Sequence, residues 1–293
     1  ALAELMADAG TPPGVVNVLV TTRAAETVDA MLHDSRVRKL SFTGSTEVGR
    51  LLLRAAADQV LTCSMELGGN GPYIVFGDAD LDEAIEGAMI AKMRNGGESC
   101  IAANRFLVER SIADEFAERL AERMGALRLG PGTDAEAEVG PLINLKAQED
   151  ITKLVEASAA AGARVLTGGG PADRPGWYFE PTVVTDLDPN ADLLSTEIFG
   201  PVAPVVVFDE EEEAVARANE TPFGLAAYVY TADLARALRV AEELDVGMVG
   251  VNRGLISDPA APFGGVKHSG LGREGAHEGL LEYLETKYVA VDW

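Results

Sequence analysis

Residues 94–105, RNGGESCIAANR, set a cysteine just after a glycine pair, between a helical run and an apolar, strand-like segment. A cysteine kept only for packing falls more naturally inside an apolar run. One at the mouth of a loop, beside helix-end dipoles, is placed to act as a nucleophile. The other cysteine, Cys63, shares the parity of Leu61 and Met65 in VLTCSMELGG and reads as a small buried hydrophobe. A thiol protease needs a partner histidine, and His33, His268 and His277 sit in no such signature. No close Cys/His spacing suggests a metal. A nucleophilic Cys100 therefore requires a carboxylate as its base.

Glu66 is the candidate. It ends the alternating stretch and is followed by Gly68 and Gly69, so its side chain can project into a cleft at the C-terminal edge of a sheet. Ligands of parallel sheets bind at that edge. A solvated strand-end glutamate fits the same local sequence. SFTGSTEVGR delivers Gly44, Ser45 and Thr46 to the start of a helix, whose free N–H groups favour an anion. A simple helix cap explains that spacing equally well. TGGGPADRPG has glycines but no helix after it and reads as a surface loop.

Positioning these groups takes repeated strand–helix units. ALAELMADAG is helical, with Leu2, Leu5, Met6 and Ala9 on one face, and it stops at Gly10 before Pro12 and Pro13. GVVNVLV reads as a strand, AAETVDAMLHD as a helix, and VRKLSFTGSTEVGRLLLRAAA as strand, glycine turn and helix. The pattern resumes with PYIVF, a helix over 80–93, NRFLVE, helices over 112–124 and 146–161, and strands in ARVLT and APVVVF. DEEEEAVARANE is a helix with acids at its N-terminus, where the dipole favours them. Strands separated by helices mean a mainly parallel sheet and an α/β fold. The tail YLETKYVAVDW alternates as a strand whose exposed edge is able to pair with another subunit.

Against 24 basic residues stand 47 acidic ones, a formal charge of −23. That argues against nucleic acid or an anionic membrane as partner and is otherwise a solubility feature. Apolar residues make up 47% of 293, enough for a sizeable core in one large domain or two. Two cysteines are too few for a disulfide framework, no run is long enough to span a bilayer, and no signal-peptide pattern is present. The chain reads as cytoplasmic. It opens without methionine, already helical, and is expected to begin within a domain.

FTGSTEVG, MELGGN, RNGGESC, EIFGPVAPV, NETPFGLAAYVY and PFGGVKHSGLGREG follow one another in the order found in aldehyde dehydrogenases. MELGG with a cysteine 34 residues beyond its glutamate is highly specific. The chain resembles that family from end to end, and within it is most similar to the succinate-semialdehyde dehydrogenases through GGNGPYIVFGDADLDEAIEGA, VGMVGVNRGLIS and APFGGVKHSGLGREG. The resemblance implies an aldehyde-dehydrogenase-like α/β fold in three parts. Residues 1–67 are the later half of a Rossmann-type dinucleotide-binding domain, 68–270 a catalytic domain carrying the thiol, and 271–293 a return segment with an oligomerisation strand.

The implied activity is NAD- or NADP-dependent oxidation of an aldehyde to a carboxylic acid. Cys100 matches the nucleophile that gives a thiohemiacetal and, after hydride leaves for the nicotinamide, a thioester. Glu66 matches the general base that activates water to hydrolyse it, and the Cys100 N–H helps hold the oxyanion. Glu197 matches the residue gripping the ribose on the nicotinamide side, and Phe199 lines that pocket. Ser45 matches the contact to the cofactor diphosphate, with Gly44 and Gly49 shaping the turn, while Leu67 and Gly68 match positions beside the nicotinamide. Arg94 and Ser257 match positions that hold the distal carboxylate of a semialdehyde, which a guanidinium binds through two parallel hydrogen bonds. A helix-end arginine favoured by the C-terminal dipole fits the local sequence too. The implied substrate is succinate semialdehyde, with glutarate semialdehyde as alternative, and the implied assembly a homo-oligomer, dimer or tetramer.

Two departures matter. GGESC, with Glu98, stands where relatives usually carry glutamine and threonine before the cysteine. A Glu98 carboxylate facing the thiol raises its pKa and slows attack; one facing solvent does not. Ala102 stands where many succinate-semialdehyde dehydrogenases have a second cysteine, which excludes a disulfide switch with Cys100. In the family, a further stretch precedes the helix that opens this chain. It supplies the oxyanion-hole asparagine, a lysine and acid near the adenosine ribose, another substrate arginine and an oligomerisation strand. These 293 residues alone are therefore expected to bind cofactor poorly and turn over little. The alternatives are a non-catalytic partner or remnant, and an esterase that uses only Cys100, Glu66 and a partial oxyanion hole.

Overall fold

Strand and helix signals alternate along the sequence, and the computed structural model, which describes residues 1–293, has the same alternation. The chain divides into two units. The first, residues 1–40 and 50–63, contains α1 (Leu2–Asp8), α2 (Ala24–Leu32), the start of β1 (Lys39–Thr43), most of α3 (Thr46–Ala57) and the start of β2 (Thr62–Glu66). Residues 14–20, expected as a strand, form none, and Val20 is 94% exposed. Valine-rich composition favours a strand only where the backbone finds a ladder to join. Cys63, expected in the core, is half-buried, and its Sγ donates to the Leu61 carbonyl at 3.4 Å.

The second unit, residues 41–49 and 64–293, holds the rest. Its elements are β3 (Gly71–Val75), α4 (Leu81–Met93), β4 (Ala103–Glu109), α5 (Ala113–Gly125), α6 (Leu145–Ala160), β5 (Arg164–Thr167), β6 (Thr182–Thr185), α7 (Asp192–Ser195) and β7 (Val202–Phe208). They continue with α8 (Glu211–Asn219), β8 (Phe223–Gly224), β9 (Ala226–Tyr230), α9 (Leu234–Glu243), β10 (Met248–Val251), β11 (Val266–Lys267), β12 (Gly270–Leu271) and α10 (Ala276–Leu281). A seven-stranded mixed sheet runs in the order β10-β9-β3-β4-β7-β6-β5, parallel except for the β5–β6 pair.

The runs PYIVF and AAYVY are apolar without alternation because both faces of the sheet are covered. Tyr73 and Val75 enter the layer shared with α4 and α5, while Ile74 and Phe76 enter the layer shared with α8 and α9. Each fully buried Phe or Leu side chain in these layers contributes about 1.5–3 kcal/mol. Asp80 starts α4 by accepting the Asp82 and Glu83 N–H groups at 2.9 and 3.1 Å, and Asp233 starts α9 in the same way. β12 pairs antiparallel with β2, Gly270 opposite Glu66. The tail after Leu284, expected as a strand, forms none and leaves Tyr288 88% exposed. No helix is long and apolar enough to cross a membrane.

Lys92, near the end of α4, is fully buried and its Nζ has no hydrogen-bond partner. Burial pushes its pKa down to about 7. The unfolded chain, with an ordinary lysine, binds more protons between pH 7 and about 10, so this group's contribution to stability rises with pH through that window. At about 1.4 kcal/mol for each pH unit separating the two values, the amine costs roughly 4 kcal/mol at neutral pH. Lys92→Met is expected to raise the Tm at pH 7 and to flatten the rise in stability from pH 7 to 10, as read by thermal unfolding. An unchanged Tm and slope would contradict this.

Candidate active site

The chain leaves α4 through a tight turn, residues 94–97, in which Asn95, Gly96 and Gly97 take φ of 53°, 62° and 80°. Glycine adopts left-handed backbone freely and asparagine tolerates it, so this stretch can reverse the chain toward β4. Cys100 then sits at the entry of β4, the N-terminal end of a strand in the large sheet, whereas Glu66 ends β2. Only Glu66 follows the rule that places ligands at C-terminal strand ends.

Close backbone approach draws three motifs together. Gly69 lies against the Cys100 carbonyl with no room for a Cβ. The Gly69 N–H donates to Glu197 Oε1 at 2.9 Å, and a Cβ on Gly68 would stand 2.7 Å from Glu197 Oε2. The thiol is half-buried in an apolar cluster of Ile101, Leu225 and Ala226, against which Ile256 and Phe263 pack. Burial first, then the carboxylates of Glu197 and Glu66, push its pKa up, while the N–H groups of Cys100 and Ile101 pull it down. Glu98 turns toward Ile143. Its half-buried carboxylate accepts the Ile143 N–H at 3.1 Å and so ties the cysteine loop to that segment.

Glu66 is no solvated strand end: it is 4% exposed and its Oε2 has no partner. Oε1 lies beside Gly264, 2.9 Å from where a Cβ would stand. Burial, then the Glu274 carboxylate, raise its pKa to about 8 against the Arg273 guanidinium. A buried, unpartnered acid that ionises near neutral pH is suited to moving a proton to and from water.

Ser45 does cap α3, its Oγ accepting the Val48 N–H at 3.3 Å, and the Gly44 N–H donates to the Glu66 carbonyl at 3.0 Å. Gly49 approaches Leu67 so closely that a Cβ would be 2.5 Å from Cδ2. Phe199 is 43% exposed at φ 52°, strained for a phenylalanine, two residues after Glu197, whose carboxylate burial pushes above its ordinary pKa. A capped helix start, glycines without room for a Cβ, an exposed ring and an orphaned Glu66 oxygen fit a dinucleotide as cofactor. Arg94 is exposed and its Nη1 donates to Ser257 Oγ at 3.1 Å, one residue from Ile256 of the thiol cluster.

Ser269, Arg273 and Glu274 escape a reading of the sequence, and Thr46, read there only as part of a helix start, has partners that reading did not give. Thr46 Oγ1 accepts the Gly68 N–H at 3.2 Å and donates to the His268 carbonyl at 3.1 Å. Buried Ser269 donates to the Gly68 carbonyl at 2.7 Å and accepts the Gly224 N–H at 2.9 Å. Arg273 and Glu274 bear on Glu66 from a glycine-rich loop. Their only local signal is a polar side chain among glycines.

Comparison with known proteins gives consistent matches. The model of the aldehyde dehydrogenase family matches residues 1–289. The succinate-semialdehyde dehydrogenase of Paenarthrobacter nicotinovorans is 56% identical over 289 residues, covering 99% of this chain and 64% of that protein. The glutarate-semialdehyde dehydrogenase of Pseudomonas aeruginosa is 48% identical over 291 residues, 99% of this chain and 60% of its own. A crystal structure of an E. coli NADP-dependent enzyme superposes with a TM-score of 0.96 at 48% identity, covering 98% of this chain and 60% of that one. The chain thus spans about three fifths of the length of the curated relatives it matches.

Proposed function

Because the chain belongs to the aldehyde dehydrogenase family, we propose that the protein oxidises an ω-carboxy semialdehyde, succinate semialdehyde foremost, to the dicarboxylic acid with NAD or NADP. One observation carries the substrate class. The Cys100 thiol shares an apolar cluster with Ile256 and Phe263, and at Ile256 the lining turns into the Ser257–Arg94 pair. An aldehyde bound at the sulfur would lay its short methylene chain on the apolar part and its carboxylate on the guanidinium.

Cys100 Sγ attacks the carbonyl carbon as the thiolate, and the Cys100 N–H is close enough to the sulfur to support the new oxyanion. When bound, NAD or NADP would supply the two-electron hydride acceptor that oxidation of the Cys100 adduct requires. Ser45 at the helix start, Gly44 and Gly49 would hold its diphosphate, Glu197 its ribose, and Leu67, Gly68 and Phe199 its nicotinamide end. Glu66 then takes a proton from water, the hydroxide oxygen adds to the thioester carbon, and the C–S bond breaks to release acid and thiolate. We assign the cofactor fold to residues 1–67, the thiol chemistry to 68–270 and self-association to 271–293. The exposed apolar side chains of the tail support a homo-oligomer, and two free thiols support a cytoplasmic location.

Glutarate semialdehyde, one methylene longer, is the second reading, favoured by the similarity to the Pseudomonas aeruginosa enzyme. The test compares kcat/KM for succinate semialdehyde, glutarate semialdehyde and butanal in wild type and Arg94→Ala. The wild type is expected to prefer a semialdehyde over butanal, and the substitution to remove that preference by about 2–5 kcal/mol, the scale of a broken charge pair. Equal rates with all three aldehydes, unchanged by Arg94→Ala, would leave the substrate assignment wrong.

A further inference from the structure

Beneath the cysteine loop, on β9, the second strand of the large sheet, Tyr228 is 1% exposed and its hydroxyl donates to the Ile101 carbonyl at 2.7 Å. The ring has little freedom. Tyr73 stands in register beside it on β3, with centroids 5.7 Å apart, and Gly250 of β10 approaches it so closely that a Cβ there would stand 3.3 Å from Cδ1. Both the thiol of Cys100 and the guanidinium of Arg94 act on the hydroxyl, after the larger effect of burial. Ile101 therefore faces two ways. Its carbonyl is held by the phenol, and its N–H favours the thiolate of Cys100 against burial and against the carboxylates of Glu197 and Glu66. None of the roles assigned above uses the Tyr228 hydroxyl.

We propose that Tyr228 is a positioning residue for the nucleophile: its hydrogen bond to the Ile101 carbonyl fixes the loop so that the Cys100 and Ile101 amides face the sulfur. Glu98 restrains the same loop on the chain side preceding Cys100, through Ile143, and Gly69 abuts the Cys100 carbonyl. Tyr228 is the restraint that follows the thiol. Without its hydroxyl, the Ile101 carbonyl loses its hydrogen bond to β9, the amide donors drift from Sγ, and the two carboxylates dominate the thiol's surroundings. The inference rests on Cys100 being the nucleophile, but alkylation of the thiol needs neither aldehyde nor cofactor, so the two readings fail separately.

The experiment follows alkylation of Cys100 by iodoacetamide against pH, read by mass spectrometry of its peptide, with Cys63 as the internal reference thiol. Tyr228→Phe keeps the ring and removes the donor. Tyr73→Phe removes an equally buried hydroxyl that donates elsewhere, to the Ala84 carbonyl at 2.6 Å. Tyr228→Phe is expected to move the Cys100 profile up by about one pH unit, slowing alkylation at pH 7 about tenfold, with Cys63 unaffected. Tyr73→Phe is expected to leave both profiles in place. An unmoved Cys100 profile in Tyr228→Phe, or an equal shift in Tyr73→Phe, overturns the proposal. Should Tyr228→Phe fail to fold, 3-fluorotyrosine at position 228 keeps the ring and strengthens the donor. It is expected to move the Cys100 profile to lower pH, and no movement overturns the proposal.

Discussion

Cys100→Ala is expected to lower aldehyde oxidation by roughly 10⁴-fold or more, the scale seen when a covalent nucleophile is deleted. The thiol has no substitute. Cys63, the second of the two cysteines, is half-buried with its Sγ bonded to the Leu61 carbonyl. The carboxylates that act on the Cys100 thiol, Glu197 and Glu66, are pushed by burial toward their neutral forms. Alanine removes one atom from the edge of the Ile101–Leu225–Ala226 cluster, so the fold is expected to survive. Steady-state cofactor reduction at saturating aldehyde, with thermal unfolding of both proteins, checks both halves. A residual rate within tenfold of wild type would remove Cys100 from the chemistry.

Glu66→Gln is expected to be the second largest loss, about 10²–10⁴-fold in turnover, and its kinetic form differs from the first. The steps before hydrolysis do not need the carboxylate, so a burst of one reduced cofactor per site is expected, followed by near silence. The pH dependence has a definite sign. A general base works ionised, and with its pKa at about 8 Glu66 is mostly protonated at pH 7. Turnover of the wild type therefore rises with pH and levels off above about 8. Glutamine removes that limb. Rapid-mixing traces at several pH values read the burst and the limb together, and a steady rate without a burst would assign the base elsewhere.

Local chemistry singled out the two candidate groups, and the order of the motifs gave them their expected roles. Cys100 follows a glycine pair, and Glu66 ends a strand before two glycines. Helices such as α4 and α6 were legible as well, because Asp80 and Asn144 are strong caps ahead of apolar periodicity. The restraints around the site were not. Thr46, Ser269 and Tyr228 act through partners 222, 201 and 127 residues away, and no spacing along the chain encodes such pairs. Pattern also misled where it was read without a partner. The valine-rich 14–20 stretch and the alternating tail carry strand composition but join no ladder. In β2, alternation put Ser64 and Glu66 on the face opposite Cys63 and Met65. Gly270 and Leu271 pair with Glu66 and Met65 along that strand, and Ser64 and Glu66 are both buried. Glu98 shows the limit from the other side: its charge was legible, its direction was set by an N–H 45 residues along the chain.

The most direct test of the account is whether Cys100 carries the substrate as a thioester. Glu66→Gln protein, mixed with succinate semialdehyde and NADP and quenched in acid, is digested and its peptides weighed. A succinyl group is expected on the Cys100 peptide, none on the Cys63 peptide, and none on either when the cofactor is left out. An unmodified Cys100 beside continuing cofactor reduction, or an acyl group on Cys63 alone, would contradict it.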